Sequence, residues 1–354
     1  GRAALGPVLR EYLISEAMAA LGVPTTRTLA AVTTGEKLWR ETMLPGAVLT
    51  RVAASHIRVG TFQYFAARGD QDGLRALADH AIARHYPGSD YRAFLDGVVA
   101  RQADLVAQWL LIGFIHGVMN TDNCSVAGET IDYGPCAFMD AYDPGTVFSS
   151  IDHQARYAYG NQPRIALWNL TRLAECLLPL FEGNEATATD ALSAFGPRFE
   201  TAYLGGLRRK IGLSSDQTGD DGLTQSLLKL MAADGADFTL TFRSLCDAAE
   251  GRDAPVRALF KDVGAYDAWA ERWKARLAGE PAPAELMRTV NPAFIPRNHL
   301  VEAALAAAAE RQDFGPFEEL LEVISHPFDD NPRLARFATP PREEEQVLQT
   351  FCGT

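Results

Sequence analysis

Apolar positions recur at helical spacing from the start of the chain. Val8, Leu9, Tyr12, Leu13, Ala17 and Met18 share one face over residues 7–20. Pro7 suits a first helical turn, and Gly22 with Pro24 ends the run. Two β-like runs follow, TLAAVT at 28–33 and AVLTRV at 47–52. The stretch between them, 34–46, carries Gly35, Pro45 and Gly46 and reads as a turn-rich loop. Beyond residue 60 the period is helical. Helices are expected over 61–67, 72–85, 91–117, 165–181, 186–211, 221–234, 239–249, 262–278, 298–311 and 314–325. One β element interrupts them at 123–134. There Cys124-Ser125-Val126, an Ala127-Gly128 turn and Thr130-Ile131-Asp132-Tyr133 predict a tight hairpin. Trp109, Trp168, Trp269 and Trp273 fall at helical spacings and are expected in the core. The tail from Pro327 is irregular. The pattern is an α+β chain, a small mixed part followed by a large helical part, with no linker between them.

Composition narrows the partners. The chain has 354 residues, 47% hydrophobic and 22% charged, with a net charge of −12. That balance argues against nucleic acid as the main partner, because phosphate neutralisation needs clustered Lys and Arg. No apolar run reaches membrane-spanning length. The five cysteines show no CxxC or Cys/His spacing, which disfavours zinc and a disulfide framework and suits a reducing, cytoplasmic setting. The chain opens Gly1-Arg2-Ala3 and enters a helix at once, which reads as a fragment or a processed chain.

The densest polar cluster runs from His116 through Asn120, Asp122 and Asn123 to Asp132-Tyr133-Gly134. A long apolar helix delivers the chain to it. In the expected hairpin, Asn123 at the entrance and Asp132 near the exit would converge beside Asp122. Such oxygen ligands suit Mg²⁺, and a carboxylate free of metal could deprotonate a hydroxyl. Asp and Asn are also common turn formers, which is the plain alternative for any one of them. Asp-Asn followed by Asp-Tyr-Gly keeps the order of a kinase catalytic loop and its metal-binding Asp-Phe-Gly. Asp122 stands directly before Asn123 rather than five residues earlier, so an ordinary protein kinase is a poor match. Glu11 on the first helix reads by default as a surface residue, although a kinase helix glutamate pairs with a lysine. Arg51 and Arg58, with His56 between them, suit phosphate oxygens.

The sequences GRAALGPVLREYLISEAMAALGVPTTR (1–27), GAVLTRVAASHIRVGTFQYFAARGD (46–70) and GFIHGVMNTDNCSVAGETIDYGPCAFMDAYDP (113–144) resemble the selenoprotein O family. SSIDHQARYAYGNQP (149–163) and NPAFIPRNHLVEAA (291–304) extend the likeness to nearly the whole chain. The resemblance implies a protein-kinase-like fold: residues 1–60 as a partial N-lobe and 61–354 as a helical C-lobe. It implies a protein adenylyltransferase that binds ATP in a flipped orientation and, with Mg²⁺ or Mn²⁺, moves AMP onto Ser, Thr or Tyr hydroxyls of proteins. By motif, Asp122 resembles the general base, and Asn123 and Asp132 the metal ligands. Arg51 and Arg58 resemble phosphate contacts, Gly1 a nucleotide contact and Glu11 the ion-pair glutamate. The family's Gly-rich segment and the lysine partner of Glu11 would lie upstream of residue 1, which would leave Glu11 without its partner. A conventional phosphotransferase and a non-catalytic helical scaffold are the competing expectations. Cys136 and Cys352 are expected either as two unpaired thiols, as a reducing setting favours, or as a redox pair, separated by counting free thiols under oxidising and reducing conditions.

Overall fold

The computed structural model describes residues 3–40 and 42–351. Strand β1 (Ala3–Ala4) leads into helix α1 (Leu5–Ala20), which stops where Gly22 takes a left-handed φ of 80°. Strands β2 (Arg27–Trp39) and β3 (Met43–Val52) pair antiparallel, and β1 joins the other side of β3, giving the order β1-β3-β2. The expected loop at 34–46 is therefore mostly ladder. Its glycine signal marks a break in register between Thr33 and Lys37, where Gly35 has φ 74°. A bulge absorbs extra residues without ending the pairing.

The remaining described chain is mainly helical: α2 (Val59–Ala66), α3 (Gln71–His85), α4 (Tyr91–Leu111), α5 (Gln162–Leu177), α6 (Glu185–Ser193) and α7 (Phe195–Lys210) come first. They are followed by α8 (Asp220–Asp234), α9 (Phe238–Ala248), α10 (Ala254–Arg257), α11 (Val263–Leu277), α12 (Pro283–Val290), α13 (Asn298–Arg311), α14 (Gly315–Ile324) and α15 (Ala335–Ala338). Helix α1 packs on β2 and β3 and also on α13 and α14. One hydrophobic cluster runs through both the sheet region and the helices. No helix among the described residues is long and apolar enough to cross a membrane.

Several expectations are corrected. Helix α4 ends at Leu111 rather than running to 117. Gly113 adopts φ 73° at a place where a Cβ would meet the Phe238 ring, and the chain turns into β4 (Phe114–Ile115), which pairs with β5 (Ala137–Phe138). The run 186–211 is two helices, because Pro197 belongs to the first turn of a new one, where its missing N–H costs nothing. Helix α12 is absent from the expected set, because its short Pro-led run resembles a loop. Trp168 is 39% exposed and lies under Arg156 and Arg172, whereas Trp109, Trp269 and Trp273 are buried as expected.

Candidate functional site

The segment 123–134 is not a self-paired hairpin. A short 3-10 turn, Thr121–Asn123, leads into it, and Gly128 N donates to Ser125 O to close a turn. The two arms then pair with different neighbours. Val59 N donates to Cys124 O and Val126 N to Ile57 O, while Thr26 N donates to Thr130 O and Thr130 N to Pro24 O. Thr130, and Cys124 and Val126 on either side of Ser125, thus pair their backbones with the chain on either side of the β2–β3 hairpin. That choice is tertiary, and local turn signals do not encode it.

The pairing brings the candidate residues of the sheet region against those of the loop. Arg58 forms an isolated bridge with Ser125, and its Nη1 donates to Asp122 O at 3.0 Å. Asp122 Oδ1 approaches Gly60 so closely that a Cβ there would sit 2.1 Å from it. Asn123 Nδ2 donates to Val118 O at 3.0 Å, which leaves Oδ1 as the free end of the amide. Asp132 adopts φ 70°, a left-handed conformation uncommon outside glycine that Asp takes up more readily than most residues, and Oδ1 accepts from Gly134 N at 3.3 Å.

Glu11 is buried, against its default reading as a surface group, and it has a partner. Oε1 lies 2.5 Å from Arg51 Nη2, and Oε2 accepts from Tyr133 N at 2.7 Å. Burial raises the Glu11 pKa; Arg51 and the Tyr133 amide oppose the rise, and Asp132 adds to it. Arg51, expected as a phosphate contact, is thus tied to the helix glutamate. His56 is held below its ordinary pKa by burial and by the two flanking charges, Arg51 and Arg58. It adds no positive charge at neutral pH. The Nε atoms of Arg51 and Arg58 are both buried without a hydrogen-bond partner. Such orphaned donors are costly and call for an acceptor.

A second group of residues fixes the loop's backbone. Gln162 accepts from His116 N and donates to Phe114 O, both at 2.9 Å. Asn169 Nδ2 donates to Met119 O at 3.1 Å. Asn298 spans Phe138, accepting from its N at 3.0 Å and donating to its O at 2.6 Å. His116 is fully buried; Nε2 donates to Ile131 O at 3.0 Å, and burial lowers its pKa while Asp132 opposes the shift. The imidazole is therefore a neutral strut. Sequence reasoning assigned these amides no role, since a buried hydrogen-bonding Asn or Gln has the same letter as a solvated one.

Gly1 and Cys352 lie outside the described residues. Cys136 is buried, its thiol donates to Tyr133 O at 3.2 Å, and burial pushes its pKa up. Thr350, in the C-terminal segment, donates through Oγ1 to Pro135 O at 2.5 Å. Among the described residues no three His, Cys, Asp or Glu side chains gather into a metal cage.

The model of the family described as protein adenylyltransferase SelO matches residues 1–325. The chain belongs to this family. It is 66% identical to the protein nucleotidyltransferase YdiU of Methylorubrum populi, covering 100% of this chain and 75% of that relative. It is 64% identical to the protein of the same name from a Bradyrhizobium species and 62% identical to that of Rhodopseudomonas palustris, with the same two coverages.

Proposed function

We propose that this chain is a SelO-type adenylyltransferase that moves AMP from ATP onto a protein hydroxyl in a kinase-like cleft. Residues 1–60 serve as part of the N-lobe and 61–354 as the C-lobe. The observation that carries the reading is the pair of buried, partnerless Arg51 and Arg58 Nε donors beside the loop that bears Asp122, Asn123 and Asp132. Phosphate oxygens are acceptors of the right charge and geometry for guanidinium groups. Glu11 keeps Arg51 oriented, and Gly1 is proposed as a nucleotide contact.

The donor set fits a hard divalent cation. The Asn123 Oδ1 and the Asp132 carboxylate are oxygen ligands, and two protein ligands with phosphate and water completing the shell is the habit of Mg²⁺. Such a cation, Mg²⁺ or Mn²⁺, would neutralise charge developing on the transferring phosphoryl oxygens. Asp122 orients the acceptor hydroxyl and takes its proton as the oxygen attacks the α-phosphorus. The α–β phosphoanhydride bond then breaks, and pyrophosphate leaves with the electron pair. Arg58 fixes Asp122 through its backbone carbonyl, and Gly60 leaves room for the carboxylate.

Incubation with ATP labelled at the α position is expected to label protein, and ATP labelled at γ is not. Label from γ alone would mean phosphotransfer. No label together with no thermal stabilisation by ATP and Mg²⁺ would mean a scaffold, since a ligand at a hundred times its Kd adds about 2.7 kcal/mol. Asp132→Ala is expected to abolish labelling while the circular dichroism stays native.

A further inference from the structure

Near the C-terminus the chain buries a small polar side chain and leaves large apolar ones outside. Thr350 is 0% exposed, whereas Leu348 at 75% and Phe351 at 67% lie in solvent. A segment seated by apolar burial would put Leu348 or Phe351 inside instead. Hydrogen bonds seat this one. Thr350 N donates to Phe148 O at 2.7 Å, and Thr350 O accepts from Ser150 N at 3.0 Å, forming a parallel bridge at Ser149. The Thr350 hydroxyl donates to Pro135 O at 2.5 Å. One residue thus ties residues 148–150 to the chain just beyond Asp132-Tyr133-Gly134.

That turn is pinned from several sides. His116 Nε2 donates to Ile131 O at 3.0 Å, Tyr133 N donates to Glu11 at 2.7 Å, and Asn298 holds both backbone groups of Phe138. Between Tyr133 and Phe138, Pro135 has no N–H, so its backbone can be held only through its carbonyl. The carbonyl packs against Gly117, where a Cβ would sit 2.7 Å from it. The Thr350 hydroxyl meets it from the C-terminal segment. Asp132 holds φ 70° within this turn, and a side chain points where its backbone sends it. A shift of the Pro135 peptide would therefore redirect the Asp132 carboxylate.

We propose that Thr350 is a positioning residue for the cation ligand Asp132: its hydroxyl fixes the Pro135 carbonyl and, through the intervening turn, the direction of the carboxylate. The role rests on the reading of Asp132 as a ligand of ATP-bound Mg²⁺ or Mn²⁺.

Isothermal titration of the full chain with ATP, once with MnCl₂ and once with EDTA, gives the factor by which the cation tightens the nucleotide. Thr350→Ala removes the hydroxyl and keeps both backbone hydrogen bonds; Thr350→Ser restores the hydroxyl. Removing a group that orients a metal ligand weakens metal binding roughly 10–100-fold, and Thr350 acts from farther away, so Thr350→Ala is expected to cut the tightening factor about fivefold. Thr350→Ser should keep it within about twofold, and affinity in EDTA should be the same in all three chains. A merely structural contact would lower the melting temperature and leave the factor alone, or weaken ATP equally with and without Mn²⁺. Either result overturns the proposal, as does failure of Thr350→Ser to restore the factor. No tightening by Mn²⁺ in the unaltered chain also overturns it, since no cation would be there to position. Absence of α-label transfer, with the tightening and its loss both observed, would sink the adenylyltransferase reading and leave the role of Thr350 standing.

Discussion

Lys210 and Glu11 are both buried ionisable groups, but their surroundings differ. Glu11 meets Arg51 and the Tyr133 amide, which oppose the rise that burial imposes on its pKa, whereas Lys210 meets only ring faces among the described residues and has a pKa lowered to about 7. Between that value and the ordinary 10.5 the unfolded chain binds the extra proton. Stability should therefore rise with pH across this window, by up to about 1.4 kcal/mol per pH unit from this one group. Below pH 7 both states are protonated and the slope vanishes. Lys210→Met should remove this contribution and stabilise the protein at pH 7, as read by urea unfolding at pH 7 and pH 9. At Glu11 the opposite holds: Glu11→Gln strands Arg51 and should cost about 1–3 kcal/mol in the same assay. Neither environment is written in the sequence. Lys210 ends an Arg208-Arg209-Lys210 run that reads as a solvated helix terminus, and Glu11 differs from its exposed counterparts only by what packs over it.

Elements are legible where one helix face is apolar over several turns, and lost where tertiary pairing decides. Helix α1 and most C-terminal helices follow their hydrophobic spacing to within a few residues. The hairpin expected at 123–134 fails because Ser125 and Thr130 find partners at Arg58 and Thr25 instead of each other. The order of Asp122, Asn123 and Asp132 was legible; the strands that hold them were not. Two glycines mark where local geometry is unforgiving. Gly60→Ala would drive a methyl into Asp122 Oδ1. Under the proposed chemistry it should reduce AMP transfer by more than about tenfold while the protein stays folded, measured by α-label incorporation beside a melting curve. Gly113→Ala meets both a positive φ and the Phe238 ring, so it should lower stability by at least about 1 kcal/mol.

Across the whole molecule, Arg297 joins segments far apart in the chain. Its guanidinium meets Asp140 Oδ1 at 2.6 Å, Asp237 Oδ2 at 2.7 Å and Ala338 O at 3.0 Å, with its side chain fully buried. Arg297→Met would leave two partly or fully buried carboxylates without their cation. The expected cost is about 3–5 kcal/mol, seen as a lower urea midpoint. The sheet presents apolar side chains to solvent. Val32 and Val48 face each other across β2 and β3, both more than half exposed, and Trp39 and Met43 form another exposed pair. Val48→Lys should reduce concentration-dependent scattering and shift stability by no more than about 0.5 kcal/mol. The hydrogen bond from Tyr133 N to Glu11 spans 122 residues of sequence and joins the first helix to the Asp-Tyr-Gly turn. It also makes that single amide proton a clock. Its deuterium uptake reports each opening of α1 from the loop, so one peptide's mass shift can time that separation without any ligand in the tube.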